Sequence, residues 1–192
     1  LGLRRHGPDG ATSDSALYGE PLVCRYATRA AILGFPAESF GEIDPAAMHA
    51  LVHLFRVTLP AFVHHAEEDL EVEWLPSVAE HAPPSIDVGR DTASAGPSIA
   101  FIDAHAGGVG FAEAVTMDVV RQVVRWSLAL TRRCPARCRE RGGCPRCVRI
   151  AACHADPSAD PGLDKHGADR VLALLVGASE AAAFGRDPGA AR

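Results

Sequence analysis

The sequence predicts an α+β domain: a small mixed sheet packed by three main helices, with a four-cysteine knuckle between the second helix and the third. Three observations carry this reading. Apolar residues recur at three- and four-residue steps in three long stretches, as helices require. Short apolar or alternating runs of strand type are interspersed without the regular βα alternation of a parallel sheet. Four of the six cysteines crowd into the stretch Cys134 to Cys147, a spacing typical of metal sites rather than of disulfide scaffolds. With 192 residues, 47% of them hydrophobic and 22% charged, the chain has the size and composition of one globular domain.

Residues 1–16, rich in Gly, Asp, Ser and Thr, read as a flexible lead-in or linker, 17–184 as the domain, and 185–192 as a disordered tail. Leu17 to Phe35 contains β-branched and aromatic residues (Leu22–Tyr26, then Ala31–Phe35) and predicts one or two strands. Asp44-Pro45 is a helix start, and Met48, Leu51, Val52, Phe55, Leu59 and Phe62 predict an amphipathic helix over 45–65. Leu70, Val72 and Trp74 alternate with acids as a short strand, and 79–97 is a Pro/Gly-rich loop. Ile99–Asp103 is a buried-strand run. Gly107-Gly108-Val109-Gly110 breaks it, and a second helix runs from Phe111 to Leu130. The last helix opens at Leu163-Asp164-Lys165 and continues to about Phe184.

Exclusions narrow the function. The chain contains neither a GxxxxGK[ST] loop nor a GxGxxG fingerprint, so it carries no nucleotide site of those kinds. No apolar run reaches the roughly 18–20 residues of a membrane span, so no membrane partner is expected. No secretory signal is visible, which places the chain in a reducing cytoplasm, and a start on Leu1 reads as part of a longer polypeptide. Isolated Cys24 reads as a small buried hydrophobe.

Cys134-x3-Cys138-x5-Cys144-x2-Cys147 offers four soft thiolates, the set with which zinc forms a closed, structural tetrahedral cage. Gly142-Gly143 permits the tight turn such a cage needs. Cys153 or His154, just beyond, could replace one ligand, and disulfides or free thiols are the competing reading. Seven arginines (Arg132, Arg133, Arg137, Arg139, Arg141, Arg146 and Arg149) and one acid, Glu140, interleave the cysteines, whereas the whole chain carries −5. They are candidates for DNA phosphate contacts, against a merely solvated basic loop. The glycine turn, Gly107 and Gly108 included, is a second candidate, since a helix N-terminus can receive phosphate. The competing reading is a tight turn whose amides bond to Asp103. His49 and His53, at i and i+4, have metal-pair spacing but lack the glutamate of HExxH, so they read as satisfied, partly buried histidines.

These pieces stand in a telling order: His49 and His53 on a helix, Glu68-Asp69-Leu70, Phe101-Ile102-Asp103, Gly107 to Ala112, Gly143-Cys144-Pro145-Arg146-Cys147-Val148, then Leu163-Asp164-Lys165 with Ala168. Over roughly residues 20–180 the chain resembles the MrfA-type zinc-binding (MZB) domain. That module sits at the C-terminus of DEAD/DEAH-box DNA-repair helicases, with related copies in phage-defence proteins. The resemblance implies zinc held by Cys134, Cys138, Cys144 and Cys147. It also implies a domain with no catalytic residue of its own, which packs on the helicase motor domains of the same polypeptide and contacts the backbone of single-stranded or forked DNA. The spacing of the first two cysteines and the long Asp/Pro-rich stretch between Cys147 and Leu163 depart from the family pattern. Two readings from other classes stand beside it: a metal-dependent hydrolase or nuclease using His49, His53, Asp103 and His105, and a protein-interaction module with a purely structural zinc.

Overall fold

A computed structural model describes residues 2–6, 12–17, 26–64, 66, 68–75, 96–151, 153 and 160–184, with 2–6, 12–17 and 178–184 as backbone alone. Residues 22–25, most of the 79–97 loop, His154 and the tail 185–192 lie outside the described set. In chain order the elements are β1 (Gly2–His6), β2 (Thr12–Leu17), β3 (Ala30–Gly34), α1 (Ala37–Phe40), α2 (Pro45–Thr58), β4 (Leu70–Leu75), β5 (Ser98–Asp103), α3 (Phe111–Ala114), α4 (Met117–Arg132) and α5 (Lys165–Phe184). β1 and β2 pair antiparallel as a separate two-stranded sheet, so the stretch read as a lead-in carries backbone pairing of its own.

The main sheet has the order β3-β5-β4 and is antiparallel throughout, not mixed. The reason is topological: β5 comes last in sequence and slots between its two predecessors, running against both. Ala30 faces Ile102 on one side, and Leu70 faces Asp103 on the other. Leu70, Val72, Ile99 and Phe101 are buried, and the Phe101 ring stacks on Phe55 of α2 with centroids 6.0 Å apart.

α2 starts as the sequence predicts, with Pro45 in its first turn and the Asp44 carboxylate accepting from the Ala46 N–H at 2.8 Å. It ends at Thr58, short of the expected residue 65. Pro60 lacks an N–H and its ring would clash with the preceding turn, so the chain tightens into a 3-10 turn over Leu59–Ala61. Nor is α2 amphipathic in place. Residues 46 to 55 are all buried, because the sheet, α4 and α5 pack around it.

The expected helix from Phe111 to Leu130 is two. α3 is a single turn, and α4 starts afresh at Met117 under a Thr116 cap. α4 keeps a one-sided pattern: Val120, Val123, Val124, Ser127 and Thr131 are buried, while Trp126 is exposed. α5 crosses α2 closely at Gly167, where a Cβ would lie 2.6 Å from the Ala47 Cβ. Gly177, in the same helix, has no such neighbour within 4 Å.

These two glycines separate packing from propensity. Gly167→Ala overpacks the crossing and should cost about 1–3 kcal/mol. Gly177→Ala should gain up to about 1 kcal/mol from helix propensity alone. Urea unfolding of both variants beside the wild type checks the opposite signs.

Candidate metal centre

α4 delivers the chain to the cysteines at a fixed point. Thr131 Oγ1 donates to Asp169 of α5 at 2.7 Å, and Arg132 pairs with the same carboxylate at 3.1 Å. Two turns then bring the sulfurs together. In the first, Arg137 takes a left-handed φ of 53° and its N–H donates to the Cys134 carbonyl at 2.8 Å. In the second, Gly143 has φ 66°, and a Cβ there would lie 2.8 Å from Val148 Cβ and 3.3 Å from Cys147 Sγ. Of the Gly142-Gly143 pair, only Gly143 has the positive φ.

The four sulfurs of Cys134, Cys138, Cys144 and Cys147 lie within 4.8 Å of one another. Cys134–Cys144, Cys138–Cys147 and Cys144–Cys147 are 3.6, 3.4 and 3.7 Å apart. A disulfide would need about 2.05 Å, so the competing disulfide reading does not hold here. The edge of a zinc–sulfur tetrahedron with bonds of about 2.3 Å is about 3.8 Å, close to these spacings. The Cys144 N–H points at Cys147 Sγ at 3.3 Å, the kind of bond that stabilises a thiolate.

Like charges this close titrate apart. The Cys138 and Ala136 N–H groups lower the Cys134 thiol to about 6, whereas burial pushes Cys147 up to about 12. At Cys144 the Arg146 N–H lowers the thiol, but burial and the Cys134 and Cys138 side chains together raise it. A divalent cation removes the conflict, because it lets all four ionise together. One cation is already built in: buried Lys165 places Nζ 3.0 Å from the Cys138 carbonyl and 3.4 Å from its Sγ.

Asp164 fastens the knuckle to the core. Its carboxylate caps α5, accepting from the His166 and Gly167 N–H groups at 3.0 Å each, and it receives Arg141 at 3.1 Å. Its own N–H donates to Ala46 of α2, and the Lys165 N–H to the Arg141 carbonyl. Burial opposes its charge, but the Gly167 N–H, the Arg141 guanidinium and the His166 N–H outweigh that and hold its carboxyl below the ordinary carboxylate value.

The alternative constellation does not assemble. Asp103, fully buried, accepts from the N–H groups of Val109, Gly110 and Phe111, each at 3.2 Å. His105 pairs with Asp69 at 2.9 Å. Gly107 donates to the Ala27 carbonyl and Gly108 to that of His105, so the turn spends its amides inside the protein rather than on a phosphate. Its glycines, with φ of 81°, 75° and 103° at 107, 108 and 110, simply permit the turn. His49 and His53 gather instead with Cys153, in a group that shares no residue with the four-cysteine set. Burial lowers His53 to about 4, with neighbouring His49 adding to the effect.

A family model, the MrfA Zn-binding domain, matches residues 51–148, about half of the chain. The chain belongs to that family. Zinc is therefore its cofactor, and the tetracysteine cluster is suited to hold it. Among curated proteins, none matches. Among solved structures the chain is similar to the crystal structure of the DUF1998 helicase MrfA bound to DNA, at 16% identity and a TM-score of 0.49, over 88% of this chain and 19% of that one. The chain thus spans about a fifth of that helicase's length.

Within this family member the seven arginines divide. Arg132, Arg141 and Arg149 are held by Asp169, by Asp44 with Asp164, and by Glu140. Arg133, Arg137, Arg139 and Arg146 are exposed and make no ion pair among the described residues. Spacing alone missed the roles of Asp164 and Lys165, whose signal was the Leu163-Asp164-Lys165 run.

Asp164 gives a pH signature. A carboxyl held below its unfolded value stabilises the fold above that value, and the contribution is lost as pH falls through the folded pKa. Asp164→Asn should therefore unfold more easily at pH 6–7, and the gap to wild type should narrow toward pH 3. Urea midpoints across that range measure it.

Proposed function

We propose that this chain is the zinc-stabilised accessory domain of an ATP-dependent DNA-repair helicase, packing on motor domains of the same polypeptide and gripping the DNA backbone. Zinc is held by Cys134, Cys138, Cys144 and Cys147, with no role for Cys153 in that cage. Four protein thiolates leave no open position, so this zinc is structural. It keeps the arginine-bearing turns in one shape. Thiolate ligation calls for a reducing compartment, which fits a cytoplasmic protein, and the five described cysteines are free.

One observation carries the DNA reading: Arg133, Arg137 and Arg139 line a concavity of about 510 Å³ on the outside of the knuckle, together with Arg132. Arg146 is exposed on the same loop, between Cys144 and Cys147. Guanidinium groups free of internal carboxylates and mounted on a rigid loop are suited to phosphate oxygens. The described loop contributes no aromatic side chain for base stacking, so contact is with backbone and sequence preference slight.

Two experiments test this reading. Cys147→Ser should release the structural zinc and loosen the start of α5, whereas α2 retains its helicity; elemental analysis and amide exchange read both outcomes. Alanine at Arg133, Arg137, Arg139 and Arg146 should weaken binding to a labelled single strand for all sequences alike. Each lost phosphate contact should flatten the salt slope by about 0.7. Arg141 is left intact because it holds Asp164. Anisotropy at three salt concentrations decides, and unchanged affinity would remove the arginine loop as the DNA contact.

A further inference from the structure

A second group of ligating side chains lies apart from the thiolate cage. His49 and His53 stand one turn apart on α2, both buried, with ring centroids 4.4 Å apart. Each ring is oriented by its Nδ1. That of His49 lies 2.9 Å from the Gly162 carbonyl and 3.1 Å from the Asp160 carboxylate, and that of His53 lies 3.0 Å from the Val148 carbonyl. A carbonyl only accepts, so both Nδ1 atoms carry the proton and both Nε2 atoms keep a lone pair. His49 Nε2 sits 3.2 Å from Cys153 Sγ, and the ligand atoms of the three residues lie within 4.8 Å of one another.

We propose that His49 Nε2, His53 Nε2 and Cys153 Sγ form a second metal site, for a zinc-class divalent cation, with water in the fourth position. The spacing fits: the N–S edge of a tetrahedron with bonds of about 2.0 and 2.3 Å is about 3.5 Å. Two imidazoles and a thiolate are a borderline-soft set, which selects zinc over calcium or magnesium. The outer contacts fit as well. Metal-bound histidines hand their other N–H to a carboxylate or a main-chain carbonyl, the arrangement found at both rings. Cys153 is exposed, so its thiol is accessible to an incoming ion. The site shares no residue with the four-cysteine set. It ties Cys153, in the long segment between the knuckle and α5, to the buried helix.

The test is metal counting on the whole chain, reduced, stripped and reloaded with zinc alone. Wild type should hold two equivalents, and Cys153→Ser one. Cys153 should resist iodoacetamide in the loaded protein and react once a chelator is added. His53→Gln should also hold one equivalent. If burial makes that variant misfold by circular dichroism, the exposed Cys153→Ser still decides. One equivalent or fewer in wild type, two in Cys153→Ser, or equal alkylation of Cys153 with and without zinc each overturn the second site. Cys147→Ser, which keeps all three residues of the second site, should also hold one equivalent, and that loss reports separately on the thiolate cage.

Discussion

A helix with almost no water-facing side must satisfy every polar group it carries from within the protein, and α2 is such a helix. Its apolar residues fill the space between sheet, α4 and α5. Its polar ones then dictate what must surround them. Thr58 Oγ1 bonds back to Leu54 and meets Ser127 of α4 at 3.0 Å. His53 takes the Val148 carbonyl, one residue beyond the last cysteine of the knuckle, and His49 takes Gly162, just before α5. The buried helix therefore sets both the height of the cysteine loop and the point from which α5 departs.

The second fastening runs through charge. Asp164 and Lys165 are adjacent, buried and of opposite sign, yet their side chains serve different partners. Asp164 caps its own helix and holds Arg141, while Lys165 reaches Cys138. Buried charges are tolerated only when paired and hydrogen-bonded, and here each charge is satisfied by the knuckle. The start of α5 and the cysteine loop are thus one electrostatic unit. Of the arginines outside that unit, Arg133, Arg137, Arg139 and Arg146 are exposed and make no ion pair among the described residues.

Much of this was legible in the residues. Asp44-Pro45 marked the start of α2, the alternation at Leu70, Val72 and Trp74 marked β4, and the cysteine spacing marked the cage. These signals are local, set by cap chemistry, pleat and thiolate chemistry over a few residues. Where local pattern misled, a neighbour or a proline intervened. Pro60 shortened α2, the break at Val115 split the second helix, and the late arrival of β5 between β3 and β4 made the sheet antiparallel.

By itself, then, the sequence determined the long helices and the strands of the main sheet, the four-thiolate set and the basic loop, because each is written in contiguous residues. Only the tertiary structure decided which polar groups meet. Asp103 is spent on three turn amides, His105 on Asp69, and three of the seven arginines on the acids Asp169, Asp164 and Glu140. His49 lies beside a cysteine 104 positions along the chain. No periodicity encodes such a meeting. It exists because α2 is buried along most of its length, and burial is a property of the packed chain.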